Sequence, residues 1–555
     1  MSPRFAPPDG APTVRGLGRE GRGGRRPGGG PGGAGVHGGG RADPRGGRVR
    51  ATLILLAALL AGLACAAPAR AAAGMEIGME DERLLLSDPS RAPGVVQAWK
   101  DLGIETVRLH AGWYSIAPAQ RRLRRPRGFH ASDPLARRYK WSALDQAVNL
   151  VVAAGMRPML TVTGPAPYWA TADPRQRHGQ LRPNPGDFAD FARAVARRYG
   201  HLVNRYLIWN EPNQPGWLLP QRSCRGRGRF RTCTPLSPHL YRALYGAASR
   251  AIRAADPAAE IVFGELAPVG DDPTTSTWRP MAPLPFLRGL GCVDRGFRPL
   301  HAGLCRRFRP LRADSFGYHP HGKKRAPDEP NPDKEEAQIA DLPRLYRTLD
   351  RLTRMGRLRA PRSAHGRFPI HMTEFGFQTR PPDRAAGVTL AQQASYVQQA
   401  TYILWRMPRV KSLTHYQWED EVVTRDGPKS GYGGWQSGLL FFDGRPKPVF
   451  GVFAAPFVYD PRRARLWGQV RPGLTQQVVL QERSRRGPWK AVAQVSTDSH
   501  GYWTSQYPVD DRDTYRFTWL EPPALLSAKP RVRTSAVLQL ATRDKRLRAS
   551  AGRGS

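Results

Sequence analysis

The sequence predicts an α/β protein, a (β/α)8 barrel followed by a small C-terminal β-sandwich. Two patterns lead there. From Met75 to about Phe457 one coarse unit recurs: an apolar run of strand length, a loop, then a segment of helical periodicity. After Pro456 that unit gives way to short alternating runs separated by turn signals. With 555 residues the chain has ample length for a large core.

Residues 1–74 stand apart as a basic leader. The first 50 are rich in Arg and Gly and too poor in apolar side chains to bury a core. The stretch Ala51–Ala64 is apolar, is preceded by Arg48 and Arg50, and is followed by Ala69-Arg70-Ala71. A charged flank, a short apolar segment and an A-x-A site describe a signal peptide cleaved near Ala71, and the stretch is short for a membrane span. Cys65 offers a lipoprotein alternative that fits less well, because Leu63 and Gly62 are poor matches to that signal. The expected mature chain is therefore secreted and has no transmembrane segment.

Eight runs read as barrel strands within 75–457: Met75–Met79, Thr106–Leu109, Pro158–Val162, Tyr206–Trp209, Glu260–Phe263, Ser315–Tyr318, Phe368–Met372 and Leu413–Gln417. Amphipathic segments lie between them, including Ala143–Ala154 before Gly155 and Asp187–Arg198 before Gly200, where the glycine is a stop signal. Later ones are Pro238–Ala255, Asp341–Met355 and Leu390–Met407. A doubly wound open sheet is the rival, but no Gly-rich phosphate turn follows the first strand. Insertions fall at Ser223–Ser237 and Val269–Arg312, on the expected active-site side of the barrel or its rim. Residues 458–525 read as the sandwich, with turns at Arg471-Pro472-Gly473, Arg485-Arg486-Gly487-Pro488 and Asp498-Ser499-His500-Gly501. Its Trp467, Trp489, Trp503 and Trp519 serve either core packing or a sugar-binding face. Residues 526–555 are basic and low in aromatics, which predicts a disordered tail.

Cys224, Cys233, Cys292 and Cys305 remain after export, an even number for an oxidising compartment. Three pairings are possible. Cys224 with Cys233 and Cys292 with Cys305 is favoured, because each closes a short Arg- and Gly-rich loop that otherwise lacks a reason to be ordered. No Cys/His spacing suggests zinc, and no metal or cofactor is expected. The net charge of +41 raises a polyanion partner, but the Arg residues are scattered over every segment, which argues against specific nucleic-acid binding. An anionic polysaccharide would also suit such a surface.

Two carboxylates close apolar runs. Glu211 ends Tyr206-Leu207-Ile208-Trp209-Asn210-Glu211, and Glu374 ends Phe368-Pro369-Ile370-His371-Met372-Thr373-Glu374. Two carboxylates facing one another across a strand-built cleft are what cleavage of a glycosidic bond requires: one protonates the leaving oxygen and the other attacks or stabilises the sugar cation.

Ile208-Trp209-Asn210-Glu211-Pro212-Asn213 resembles the strand-four signature of the retaining (β/α)8 glycoside hydrolases, and Thr373-Glu374-Phe375-Gly376 resembles its strand-seven partner. The resemblance covers Met75–Phe457 and is closest to the cellulase-like families 5 and 39. It implies Glu211 as general acid/base, Glu374 as nucleophile and Asn210 as a donor to a sugar hydroxyl. It also implies that Arg108, at the end of strand two, bonds the nucleophile. In Gly317-Tyr318-His319-Pro320-His321 the sequence departs from the family's His-Pro-Tyr, leaving open which of Tyr318, His319 and His321 reaches the site. Trp418, after strand eight, fits the floor of a sugar subsite. Trp113, Trp169 and Trp217 could line others, and Glu265 is a third carboxylate without a catalytic role. The expected function is a monomeric, secreted retaining hydrolase of a β-linked oligo- or polysaccharide. A transglycosylase would use the same groups, and a non-catalytic carbohydrate- or polyanion-binding wall protein would usually have lost one glutamate.

Overall fold

The computed structural model describes residues 74–271, 276–361, 365–424, 434–521, 531–540 and 546–550. The leader, Cys65 and the cleavage site near Ala71 lie outside them. Eight strands form the first domain: β1 (Glu76–Glu80), β2 (Thr106–Gly112), β3 (Arg157–Thr163), β4 (Arg205–Ile208), β5 (Glu260–Leu266), β6 (Ser315–Tyr318), β7 (Ile370–Phe375) and β8 (Val410–Tyr416). Each pairs in parallel with the next, and β8 pairs back to β1, so the sheet is a closed barrel without edges.

A helix follows every strand: α1 (Ala92–Asp101), α2 (Ser142–Ala153), α3 (Pro185–Tyr199), α4 (Ser237–Ala255), α5 (Pro283–Leu290), α6 (Leu342–Arg354), α7 (Leu390–Trp405) and α8 (Pro448–Ala454). Local chemistry sets their ends. At α3, Asn184 Oδ1 accepts from the backbone N–H groups of Gly186 and Asp187, and Pro185 occupies a first-turn position. At α7, Thr389 and Gln392 form a reciprocal capping box. After α2, Gly155 takes φ +79°, a left-handed stop that a side chain would resist.

The inside of the barrel is unusually polar. At one end Arg205 donates to Glu260 and Glu76, while Glu260 also receives bonds from Ser315 and His371, and His371 meets Ser412. Met159, Leu207 and Val262 form a small apolar layer of their own. The other end, where the strands finish, is charged again. Gly317 on β6 makes room there: a Cβ at this position would lie 1.7 Å from Glu265 Oε1.

Two antiparallel sheets build the second domain. One contains β9 (Phe457–Asp460), β10 (Arg465–Gln469), β13 (Tyr502–Ser505) and β17 (Arg548–Ala549); the other contains β11 (Gln477–Ser484), β12 (Lys490–Ser496), β14 (Asp513–Glu521), β15 (Arg531–Thr534) and β16 (Leu538–Gln539). Phe457, Leu466, Val478, Leu480, Trp503, Tyr515, Phe517 and Leu538 fill the space between them. Trp467 and Trp503 are buried, and Trp489 alone of the four tryptophans carries cation–π contacts, from Arg483 and Arg516.

Two expectations are corrected here. The segment expected as a disordered tail supplies β15, β16 and β17, because Leu538 and Leu540 are apolar side chains the sandwich core takes in, and Ser550 bonds to the barrel. Cys224 pairs with Cys233 across a hairpin, and Cys292 with Cys305. The second of these loops does not sit on the cleft rim. Arg242 of α4 donates to Leu290 O and Arg357, after α6, to Gly291 O, which fastens it to the helix layer.

Replacing Gly317 with Ala should force Glu265 or its strand aside and cost about 1–3 kcal/mol, as overpacking does. Denaturant unfolding of the variant measures it, and an unchanged midpoint would show that the space beside Glu265 is not needed.

Candidate active site

The ends of β1, β5 and β7 and the turn after β4 meet on one guanidinium. Arg108 on β2 is fully buried. Its Nη1 donates to both oxygens of Glu80 on β1, at 2.7 and 2.6 Å, and to Glu374 Oε1 on β7 at 2.6 Å. Its Nη2 donates to Asn210 Oδ1 at 2.6 Å and to Glu265 Oε2 on β5 at 2.8 Å. From β6, His319 places Nδ1 3.1 Å from Glu211 Oε1 and 3.4 Å from Glu374 Oε1, with Nε2 3.4 Å from Glu265 Oε2. His321 Nε2 donates to Glu374 Oε2 at 3.1 Å.

The turn after β4 is bent to present Glu211. Trp209 and Glu211 adopt φ +66° and +35°, and Glu265 opposite adopts +51°, left-handed values that side chains resist unless their surroundings fix them. Here they are fixed: Asn210 N–H donates to Thr163 Oγ1, and Glu211 N–H to the Glu265 carbonyl. One carboxylate oxygen of Glu211 and one of Glu374 lie within 4.8 Å of each other.

Charge is distributed unevenly over these groups. Burial raises the Glu374 carboxyl, but the charges of His319 and Arg108 outweigh it and hold the group well below the usual carboxylate range. For His319, burial opposes protonation, yet Glu374 and the bonds to Glu211 and Glu265 push it up to about 10. Burial, only partly offset by Arg108, pushes Glu80 up to about 8. Glu265 is lowered, since Arg108 and His319 overcome its burial. The site therefore favours an ionised Glu374 beside Arg108 and His319, while burial makes the neighbouring Glu80 easier to protonate.

A cavity of about 300 Å³ opens above this floor. Glu80, Asp81, Glu82, Arg83, His110, Asn210, Glu211, Trp217, His321, Glu374, Tyr416, Gln417, Glu421 and Trp435 line it.

Of the residues singled out in the sequence, Glu211, Glu374, Asn210, Arg108, His319, His321, Glu265 and Trp217 gather here. Four do not. Trp113 is buried against Trp169, Phe188 and Phe191. Trp418 is buried against Trp99 of α1 and Phe450 of α8. Its neighbour Tyr416 takes the cavity wall, with Trp435 packed edge-on. Trp169 is buried against Trp113 and Phe129 and donates its indole N–H to Pro118 O. Tyr318 stacks on Phe316 and donates to Ala337 O, because strand alternation turns it outward when Gly317 and His319 face in. Residues 80–83, His110, Tyr416 and Trp435 went unrecognised in the sequence. Glu80 had the same signal as the two glutamates, a carboxylate directly after an apolar run.

No protein-family model matches the chain, and no curated protein matches it in sequence. Among solved structures it is similar to a family 39 glycoside hydrolase from Bacteroides cellulosilyticus WH2, at 15% identity and a TM-score of 0.42, over 79% of this chain and 80% of that one. It is also similar to a glucosidase from Croceicoccus marinus, at 12% identity and a TM-score of 0.43, over 81% and 95% of the two chains. A third is the GH10 protein from Paenibacillus barcinonensis, at 15% identity and a TM-score of 0.38, over 68% and 94%. The barrel itself is established by the pairing of the strands.

The folded protein holds the His319 proton more tightly than the unfolded chain does. That stabilisation is complete below pH 6.5 and is lost as pH rises through about 10. Glu80 acts in the same sense between 4.5 and about 8. Glu374 acts oppositely, its contribution being lost as pH falls below 4.5. Denaturation midpoints should therefore decline from pH 6.5 to about 10, and His319→Gln should flatten the decline. An unaltered slope in that variant would remove His319 from the account.

Proposed function

We propose that the chain is a retaining glycoside hydrolase, with Glu374 as nucleophile and Glu211 as general acid/base. The observation that carries this reading is the approach of the two carboxylates within 4.8 Å across an open cavity. Retaining enzymes need about 5–5.5 Å between carboxyl groups, whereas inverting ones leave about 6.5–9.5 Å for a water between them. Glu374 is suited to attack, because Arg108 and His319 keep it ionised against its burial.

In the first step Glu374 Oε2, the oxygen not bonded to Arg108, attacks the anomeric carbon. The bond to the leaving oxygen breaks, and Glu211 supplies that oxygen's proton. In the second step Glu211, now ionised, takes a proton from water as the water oxygen displaces Glu374 from the same carbon. Asn210, its Oδ1 fixed by Arg108, is left with its NH2 group to donate to the hydroxyl beside the anomeric carbon. Trp217, Tyr416 and Trp435 supply aromatic wall for sugar faces.

A β-linked oligo- or polysaccharide is the substrate class proposed. With six carboxylates around the cavity, the sugar at the reaction centre is uncharged or cationic; an anionic polymer would be held by the basic surface outside it. Transfer to a second sugar instead of water uses the same groups. Export fits the two disulfides.

Glu374→Gln should abolish turnover on every glycoside, while a glycosyl fluoride of the opposite anomeric configuration should restore transfer. Glu211→Gln should slow substrates with poor leaving groups by about 10²–10⁴-fold and leave activated aryl glycosides much less affected. Proton NMR of the first-formed product should show retained configuration; inversion, or full activity of the Glu374 variant, would overturn the reading.

A further inference from the structure

Glu211, His319, His321 and Glu374 come from the ends of β4, β6 and β7, and each presents one nitrogen or oxygen to a common point. The four atoms lie within 4.8 Å of one another. Three of the separations are 3.1 Å (His319 Nδ1 to Glu211 Oε1), 3.4 Å (His319 Nδ1 to Glu374 Oε1) and 3.1 Å (His321 Nε2 to Glu374 Oε2). A tetrahedral zinc ion with bonds of about 2.0–2.2 Å sets its ligand atoms about 3.3–3.6 Å apart. Each histidine thus already meets a carboxylate oxygen at close to that spacing, through different oxygens of Glu374, and small side-chain rotations within the 4.8 Å cluster would bring four atoms onto one ion.

We propose that these four residues form a zinc-binding site, and that zinc bound there inhibits the enzyme reversibly by occupying both carboxylates. The inhibition rests on the glycosidase reading; the binding does not.

The donor set selects the ion. Two imidazole nitrogens and two carboxylate oxygens suit zinc, whereas magnesium and calcium prefer oxygen alone. The carboxylates cancel the ion's two charges. Glu265 Oε2 lies 3.4 Å from His319 Nε2, on the far side of that ring, and is itself bonded by Arg108 while Thr373 holds its other oxygen. A carboxylate behind a histidine fixes which ring nitrogen serves a metal: His319 keeps its Nε2 proton on Glu265, and the ion takes the place of the Nδ1 proton, which leaves to solvent. His319 is fully buried and starts from a strand end, so its position is set before any ion arrives. The other three ligands line the cavity, which gives the ion its route in. The neighbouring group of Glu80, His110 and Glu374 also lies within 4.8 Å, but there Arg108 bonds both oxygens of Glu80 as well as Glu374, whereas in the proposed site it bonds one oxygen of one carboxylate, Glu374 Oε1, and leaves Oε2 and Glu211 clear of the guanidinium.

Cobalt(II) serves as the spectroscopic probe, added to chelator-treated full-length protein, with Zn2+ titrated by calorimetry. One saturable site per chain is expected, with the intense visible absorption of tetrahedral cobalt, bleached when Zn2+ displaces it. His321→Gln and Glu211→Gln should each weaken Zn2+ binding by about 10-fold or more while leaving the thermal midpoint in place. In the wild type, Zn2+ should suppress hydrolysis and a chelator should restore it. Absence of a saturable site, a weak octahedral cobalt spectrum, or unchanged binding in both variants would overturn the site. Hydrolysis that persists with the site filled would overturn the inhibition. Zinc bound at the cluster of a protein that cleaves no glycoside would uphold the site and sink only the functional reading.

Discussion

Arg108 carries a full charge at a point no water reaches, which a protein tolerates only where opposite charges and hydrogen bonds replace the lost solvation. Glu80, Glu265, Glu374 and Asn210 provide the replacement, and each comes from a different segment of the barrel. Closing the sheet and assembling the site are therefore one event: the cation has its partners only when β1, β5, β7 and the turn after β4 stand around β2. Removing one partner from such a cluster typically costs about 3–5 kcal/mol, because the charge left behind stays buried. The same bonds fix Glu374 in place and in charge, so stability and reactivity draw on one set of contacts.

Much of this was legible in the chain. A strand buried on both faces leaves a run of apolar residues, and a polar side chain directly after such a run must face the cleft or the loops above it. That logic located Glu211 and Glu374, the family resemblance added Arg108 and His319, and the same logic applied to Met75–Met79 would have found Glu80 as well. At Tyr318, still paired within β6, alternation turns the ring outward; at Trp418, Trp169 and Trp113 the failure has another geometric cause. Beyond a strand's last paired residue the alternation of faces lapses, and an aromatic ring turns toward whichever layer has room. For Trp418 that layer lies between α1 and α8. Trp435 reaches the cavity from the long connection after β8, a path that no local periodicity encodes.

Charge is the second lesson. The chain carries a formal +41, yet six carboxylates surround the cavity. At physiological ionic strength charges more than about 8 Å apart are largely screened from one another. The arginine-rich exterior and the acidic cleft therefore act on different parts of a long ligand, and total charge is a poor guide to what the reaction centre holds.

The sandwich is bound to the barrel through contacts far apart in sequence. Gln398 of α7 accepts from Phe457 N–H, across 59 residues, and accepts from Ser550 Oγ and donates to Ser550 O, across 152. Tyr502 donates to Met75 O at the start of β1, across 427. A ribosome makes these partners in order. All eight barrel strands emerge while Gln398 still lacks Ser550 and the carbonyl of Met75 still lacks Tyr502. The nascent barrel thus spends that interval with these two bonds unmade and their buried positions on its outer wall open until the last strands arrive.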